Sequence, residues 1–149
     1  MVLGYGLERM TEDVDLLADD QEIQALIEDA NIGEALERTN SELEEEGLYL
    51  SHIWGPEQQI LTPEWRGSCR EVPLRLDRLQ VETLGPLDMV LSKACRADDG
   101  DLADIRHLVG REGLTRASVS RAFERALVPS IFQAVLPEAR ARILAIFEG

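Results

Sequence analysis

Two aspartates alternate with apolar residues in Arg9-Met10-Thr11-Glu12-Asp13-Val14-Asp15-Leu16-Leu17. As a strand of period two, this segment sends Asp13 and Asp15 out of one face while Val14 and Leu16 enter the core from the other. Two carboxylates held about 5 Å apart repel by roughly 3 kcal/mol at an effective dielectric of about 20, and a hard divalent cation with oxygen ligands relieves that repulsion best. An exposed acidic edge strand would carry the same residues, since Asp is common on surfaces, and the spacing is compatible with both. A second group lies further along the chain. Lys93 and Arg96, three residues apart, share one flank of a helix whose apolar stripe is Leu87, Val90, Leu91 and Ala94. Such a pair suits a polyphosphate, the lysine as a point charge and the arginine as a planar fork. Asp101 falls within the angular span of Leu102, Ile105 and Leu108, so it is expected to face inward and to need a cation, which Lys93 or Arg96 would supply. Lys93, Arg96, Asp101 and Asp104 therefore serve either an anionic ligand or the junction of two helices.

The elements that must position these residues follow from periodicity. A strand over about 12–17 precedes a helix that Asp19 or Asp20 caps near Gln21, with Ile23, Leu26 and Ile27 at helical spacing. A second helix is expected from about 33 to 46, acidic on its outer face and ended by Gly47. Residues 48–54 alternate as a strand, and 70–76 with 79–84 read as a hairpin around Asp77-Arg78. From Pro86 the pattern is helical, over about 86–97, 100–111, 115–127 and 137–147, with Thr115 as an N-cap and Pro137 in a first turn. Strands and helices followed by a helical tail predict an α+β domain: a mixed α+β core over 1–85 and a helical lobe over 86–149 packed on it as one structural unit.

Composition narrows the function classes. The chain has 149 residues, 44% of them apolar and 30% charged, which suits one globular domain with a real core. No apolar run reaches the roughly 20 residues of a membrane span, and no basic-then-apolar leader opens the chain, so a cytoplasmic protein is expected. Cys69 and Cys95 show no zinc or disulfide spacing, and His52 and His107 are isolated in sequence. The net charge of −14 is uneven: residues 1–50 hold 15 acidic and 2 basic side chains, residues 51–149 hold 14 and 13. An extended nucleic-acid surface needs clustered cations, so it is not expected here. Trp54 and Trp65 are each read as core anchors or as platforms for a base.

The segment from Arg9 to Leu17 resembles the metal-binding strand of nucleotidyltransferase-fold proteins, particularly the branch related to the AbiEii toxins of bacterial abortive-infection and toxin–antitoxin systems. Lys93-Ala94-Cys95-Arg96 followed by Asp101-Leu102-Ala103-Asp104-Ile105 resembles that branch's carboxy-terminal Lys-x-x-Arg and Asp-x-x-Asp-(Ile/Val) signature. Pro63-Glu64-Trp65, Leu79-Gln80-Val81-Glu82 and Leu84-Gly85-Pro86-Leu87-Asp88 stand between them in the expected order. The resemblance implies a mixed sheet with flanking helices and a magnesium ion on Asp13 and Asp15. It further implies Glu82 as a third carboxylate, Arg9 and Thr11 beside a nucleotide, and Lys93 and Arg96 on its phosphates. The implied reaction moves a nucleoside monophosphate from a nucleoside triphosphate to a hydroxyl of a protein or an RNA end.

The family pattern begins with Gly-Gly or Gly-Ser at a helix start, where backbone amides hold the triphosphate, and this chain has no such pair. The expectation is that the first strand and most of the first helix are missing, with Met1 an internal start or the chain a shortened paralogue. Whether it is an enzyme stays open. The alternative is a catalytically degenerate copy acting as an interaction module in a toxin–antitoxin or phage-defence pair, its acidic first third complementing a basic protein partner. A missing first strand would also leave a sheet edge beside residues 13–17, so a homodimer is expected.

Overall fold

The computed structural model describes Tyr5 and residues 13–18, 20–44, 49–72 and 81–148. The chain divides into two compact units, Arg9–Gln58 and the combination of Met1–Glu8 with Gln59–Gly149. The residues from Gln59 onward, strands Arg70–Val72 and Val81–Thr83 included, group with the carboxy-terminal helices.

In the Arg9–Gln58 unit, strand β1 (Asp13–Leu17) is followed by helices α1 (Asp20–Glu28) and α2 (Ile32–Leu43) and by strand β2 (Tyr49–Trp54). The strands pair in parallel, and the two helices between them supply the long crossover that parallel pairing requires. Val14 lies opposite Leu50 and Asp15 opposite His52, so Ser51 is an extra residue in β2, a bulge. Asn40 on α2 covers the outer edge of β2 at that point: its carboxamide oxygen accepts from the Leu50 amide at 2.8 Å, and its nitrogen donates to the Leu50 carbonyl at 3.2 Å. Both groups that a further strand would use at Leu50 are thereby satisfied. Leu16 does not enter a core as the alternation predicts; it is 41% exposed. A two-stranded ladder lacks the area to bury every apolar side chain on its inner face.

The second unit opens its described continuous stretch with helix α3 (Trp65–Ser68) and the antiparallel strands β3 (Arg70–Val72) and β4 (Val81–Thr83). The hairpin is as expected, although its turn at Asp77-Arg78 lies outside the described residues, as does Gly47. Four helices follow: α4 (Pro86–Lys93), α5 (Asp99–Glu112), α6 (Arg116–Arg125) and α7 (Leu136–Ala145). Thr115 caps α6 through the Ser118 amide in a full capping box, and Pro137 stands in the first turn of α7. Helix α4 ends at Lys93, four residues before the expected end, and Ala97 at φ 50° turns the chain sharply into α5. Gly113 at φ 63° closes α5 with the left-handed cap that glycine adopts without penalty. The core joins Ile60 to Val90, Leu91, Ala94, Leu102, Ile105, Leu108, Val119, Phe123 and Ile143. Tyr5 belongs to it as well. Its hydroxyl donates to the Leu84 carbonyl at 2.6 Å, and its own carbonyl accepts from the Arg111 guanidinium. The overall class is mixed α and β, with a parallel and an antiparallel pair forming two separate small sheets among the described residues.

Candidate functional site

The signature residues of the second unit meet at the turn between α4 and α5. Asp98 caps α5 by accepting from the Asp101 amide at 2.8 Å, which fixes the first turn of the helix and points Asp101 back toward α4. Lys93 Nζ lies 3.0 Å from Asp101 Oδ1 and 2.7 Å from Asp104 Oδ2. Arg96 adds a two-point fork, Nε to Asp101 Oδ2 and Nη2 to Oδ1, each at 3.2 Å. Asp101 and Asp104 are both 2% exposed, so each needs its cation. Burial by itself raises the Asp101 pKa. Hydrogen bonds from Arg96 and Lys93, together with their charges, overcome that and hold the carboxyl below its ordinary value. Asp101 faces inward as its place in the apolar pattern predicts, and both cations reach it. Lys93 is also the one lysine in the sequence.

A second polar latch sits at the other end of α4. Asp88 is buried in the first turn, where its Oδ1 accepts from the Thr62 amide at 2.7 Å and its Oδ2 from the Ser68 hydroxyl at 2.8 Å. The segment from Thr62 through α3 is thus fastened to the start of α4, and the approach is close. A Cβ on Gly85 would stand 2.6 Å from the Ser68 carbonyl oxygen, which only glycine permits. Trp65 in this segment is half-buried, with the Arg66 guanidinium 4.7 Å from its ring centroid. Glu82 on β4 is exposed and lies directly opposite Glu71 of β3. Burial raises both the Cys69 and the Cys95 pKa, which keeps these thiols protonated and unsuited to nucleophilic work near neutral pH.

In the Arg9–Gln58 unit, Asp13 and Asp15 occupy alternate positions of β1. The Asp15 carboxylate is exposed and lies 3.5 Å from His52 Nδ1, and the His52 ring stacks on Trp54 with centroids 5.1 Å apart. An open cleft of about 280 Å³ is lined by Leu36, Leu50, His52 and Ile53. His52, isolated in sequence, gains its place because the bulge at Ser51 sets it across from Asp15. The sequence signal was its alternation with Trp54 in β2. Arg9 and Thr11 lie outside the described residues, and Asp13 is described at the backbone. Among the described residues no three His, Cys, Asp or Glu side chains cluster to hold a metal. The candidate residues thus form two groups in two units: Asp13 and Asp15 on β1 of one, and Glu82, Lys93 and Arg96 in the other.

A family described as nucleotidyltransferase of unknown function (DUF6036) matches residues 1–111. The chain belongs to that family. The matched part of this nucleotidyltransferase-family chain runs from before β1 nearly to the end of α5, and so contains the Asp13 and Asp15 strand, the Asp88 latch and the Lys93–Asp101 cluster. Comparisons with curated proteins and with solved structures returned no match. Among the described residues no helix is long and apolar enough to cross a membrane.

Proposed function

We propose that this chain is a magnesium-dependent nucleotidyltransferase of the branch related to AbiEii toxins, acting in the cytoplasm and moving a nucleoside monophosphate from a nucleoside triphosphate to a hydroxyl of a protein or an RNA end. The observation that carries the reading is family membership over a segment that holds both acidic and basic signatures. Asp13 and Asp15 would hold the metal: alternate positions on one strand offer hard oxygen donors, which suit magnesium, and the Asp15 carboxylate is exposed. His52 at 3.5 Å is placed to orient Asp15. Magnesium, when bound, would supply Lewis acidity toward phosphoryl oxygens. Glu82 is proposed as a further carboxylate, Arg9 and Thr11 as nucleotide contacts, and Lys93 and Arg96 as phosphate contacts. Calorimetric titration with a nonhydrolysable nucleoside triphosphate and magnesium tests the reading. Binding that requires magnesium and is lost in Asp15→Asn is expected; no binding at millimolar nucleotide would overturn it.

A second reading, a degenerate copy acting as an interaction module in a toxin–antitoxin or phage-defence pair, is favoured by one feature of the basic group. The Lys93 ammonium already sits between two buried carboxylates, so a phosphate would have to compete with both. The Arg9–Gln58 unit, with 15 acidic and 2 basic side chains, would face a basic partner. Recovery of one stoichiometric basic protein by the full chain, with no nucleotide binding, is the outcome that selects this reading.

A further inference from the structure

Of the two tyrosines, two tryptophans and two histidines in the chain, one of each falls within the six residues of β2. Strict alternation would divide them, with Tyr49 on one face and His52 and Trp54 on the other. The bulge unites them. It sets Tyr49, His52 and Trp54 opposite Asp13, Asp15 and Leu17, and residues directly opposite in a ladder share a face, so the three aromatic positions lie on the face of Asp15. Filling a core does not account for them: Tyr49 is 54% exposed, His52 is exposed as well, and Trp54 is half-buried. Trp54 instead supports the His52 ring, with the planes inclined by 20° and the centroids 5.1 Å apart. The second face of the imidazole is thereby turned away from Trp54.

We propose that Tyr49 and His52 form a stacking platform for the base of the nucleoside triphosphate, a subsite that rests on the reading of Asp13 and Asp15 as the magnesium position. The argument joins electrostatics to shape. The Arg9–Gln58 unit holds 15 acidic and 2 basic side chains, so its field repels a phosphate unless a metal stands between them. A base carries no charge and meets no such barrier. Every base has a π-face, and a solvent-exposed aromatic ring takes that face without reading a hydrogen-bond pattern. His52 Nδ1 lies 3.5 Å from Asp15 Oδ1, so the platform adjoins the proposed metal position within one face of one unit. The base of a bound nucleotide would lie along β2 and its phosphates beside β1. A purine covers more of the platform than a pyrimidine, so purine triphosphates are the preferred class.

Calorimetric titration of the full chain with magnesium and two ligands tests this. One is a nonhydrolysable purine nucleoside triphosphate; the other is ribose 5-triphosphate, which keeps the sugar and phosphates and lacks the base. Wild type is expected to bind the first about tenfold more tightly. Tyr49→Ala should remove most of that preference while leaving the affinity for ribose 5-triphosphate unchanged, and Tyr49→Phe, which keeps the ring, should retain it. His52→Ala weakens both ligands through Asp15, so the ratio of the two affinities is the readout, and it too should fall. Base protons of the bound nucleotide should shift upfield in the magnetic resonance spectrum with wild type and less with Tyr49→Ala, because a stacked ring shields them. Equal binding of the two ligands, or a preference that neither alanine variant lowers, overturns the subsite and leaves the metal reading standing. If neither ligand binds, the metal reading fails and the subsite with it, and the exposed rings are left to the cations of a basic partner.

Discussion

Lys93 and Asp101 are two halves of one electrostatic problem. Either charge alone would be costly where it sits, and each removes the cost of the other. Asp101→Asn takes one of two carboxylates from the buried Lys93, which keeps Asp104, and the fork from the largely exposed Arg96, and is expected to lower stability by about 1–3 kcal/mol, measured by urea denaturation. Asp15→Asn is expected to change metal-free stability by less than about 1 kcal/mol, because its His52 contact is largely exposed, while abolishing any magnesium-dependent rise in melting temperature. If Asp15→Asn proves the more damaging in metal-free buffer, the assignment of Asp15 to the metal is wrong. Acid should act through Asp101 with a definite sign. Its folded-state pKa is lowered, so its contribution to stability is complete above the ordinary value of about 3.9 and is lost as pH falls below it toward the folded value. A pH series of melting temperatures on wild type and Asp101→Asn should converge as pH falls through the folded-state value if this holds.

At the scale of elements, the hairpin and the start of α4 make opposite demands on substitution. Glu71 and Glu82 face each other across β3 and β4, and like charges directly opposite are unfavourable. Glu82→Lys converts them to an opposite-charge pair and should stabilise the protein by about 0.2–1 kcal/mol. A gain in melting temperature with unchanged nucleotide binding would remove Glu82 from the proposed site. Gly85→Ala should do the reverse. Its φ of −59° suits alanine, so strain is not the cause; the new methyl meets the Ser68 backbone, and the overpacking should cost about 1–3 kcal/mol. If Gly85→Ala is neutral in denaturant titration, the Asp88 latch is looser than its two short hydrogen bonds indicate.

At the scale of the whole molecule, Tyr5 joins distant parts of the sequence within the unit of Met1–Glu8 and Gln59–Gly149. Its hydrogen bonds reach residues 84, 107 and 111, which fastens Tyr5 into the core of that unit. Tyr5→Phe keeps the ring and loses only the bond to Leu84, an expected loss of about 1 kcal/mol, whereas Tyr5→Ala also empties the core and should cost about 3–5 kcal/mol. Burial drives the Tyr5 pKa up to about 12. A raised folded-state value means that stability is complete below the ordinary pKa near 10 and falls as pH climbs through the folded one. Wild type should therefore lose stability between about pH 10 and 12 more steeply than Tyr5→Phe, as thermal unfolding across that range would record.

Short-range pattern determined much of this protein. The alternation around Asp13 and Asp15 fixed a strand, the stripes after Pro86 fixed four helices within a few residues of their ends, and the position of Asp101 among apolar residues determined that it would turn inward to a cation. The order of acidic and basic signatures was enough to indicate a nucleotidyltransferase family. These features are legible because a strand or helix repeats within a few residues, and its burial follows from that repeat. The tertiary structure decided what depends on partners far along the chain. Only it placed His52 against Asp15, through a bulge that shifts the register by one residue. Only it put Asn40 on the edge of β2, Asp88 on the Thr62–Ser68 segment and Tyr5 in the helical core. No local repeat encodes such pairings. They arise because buried polar groups must find partners wherever the packed chain supplies them.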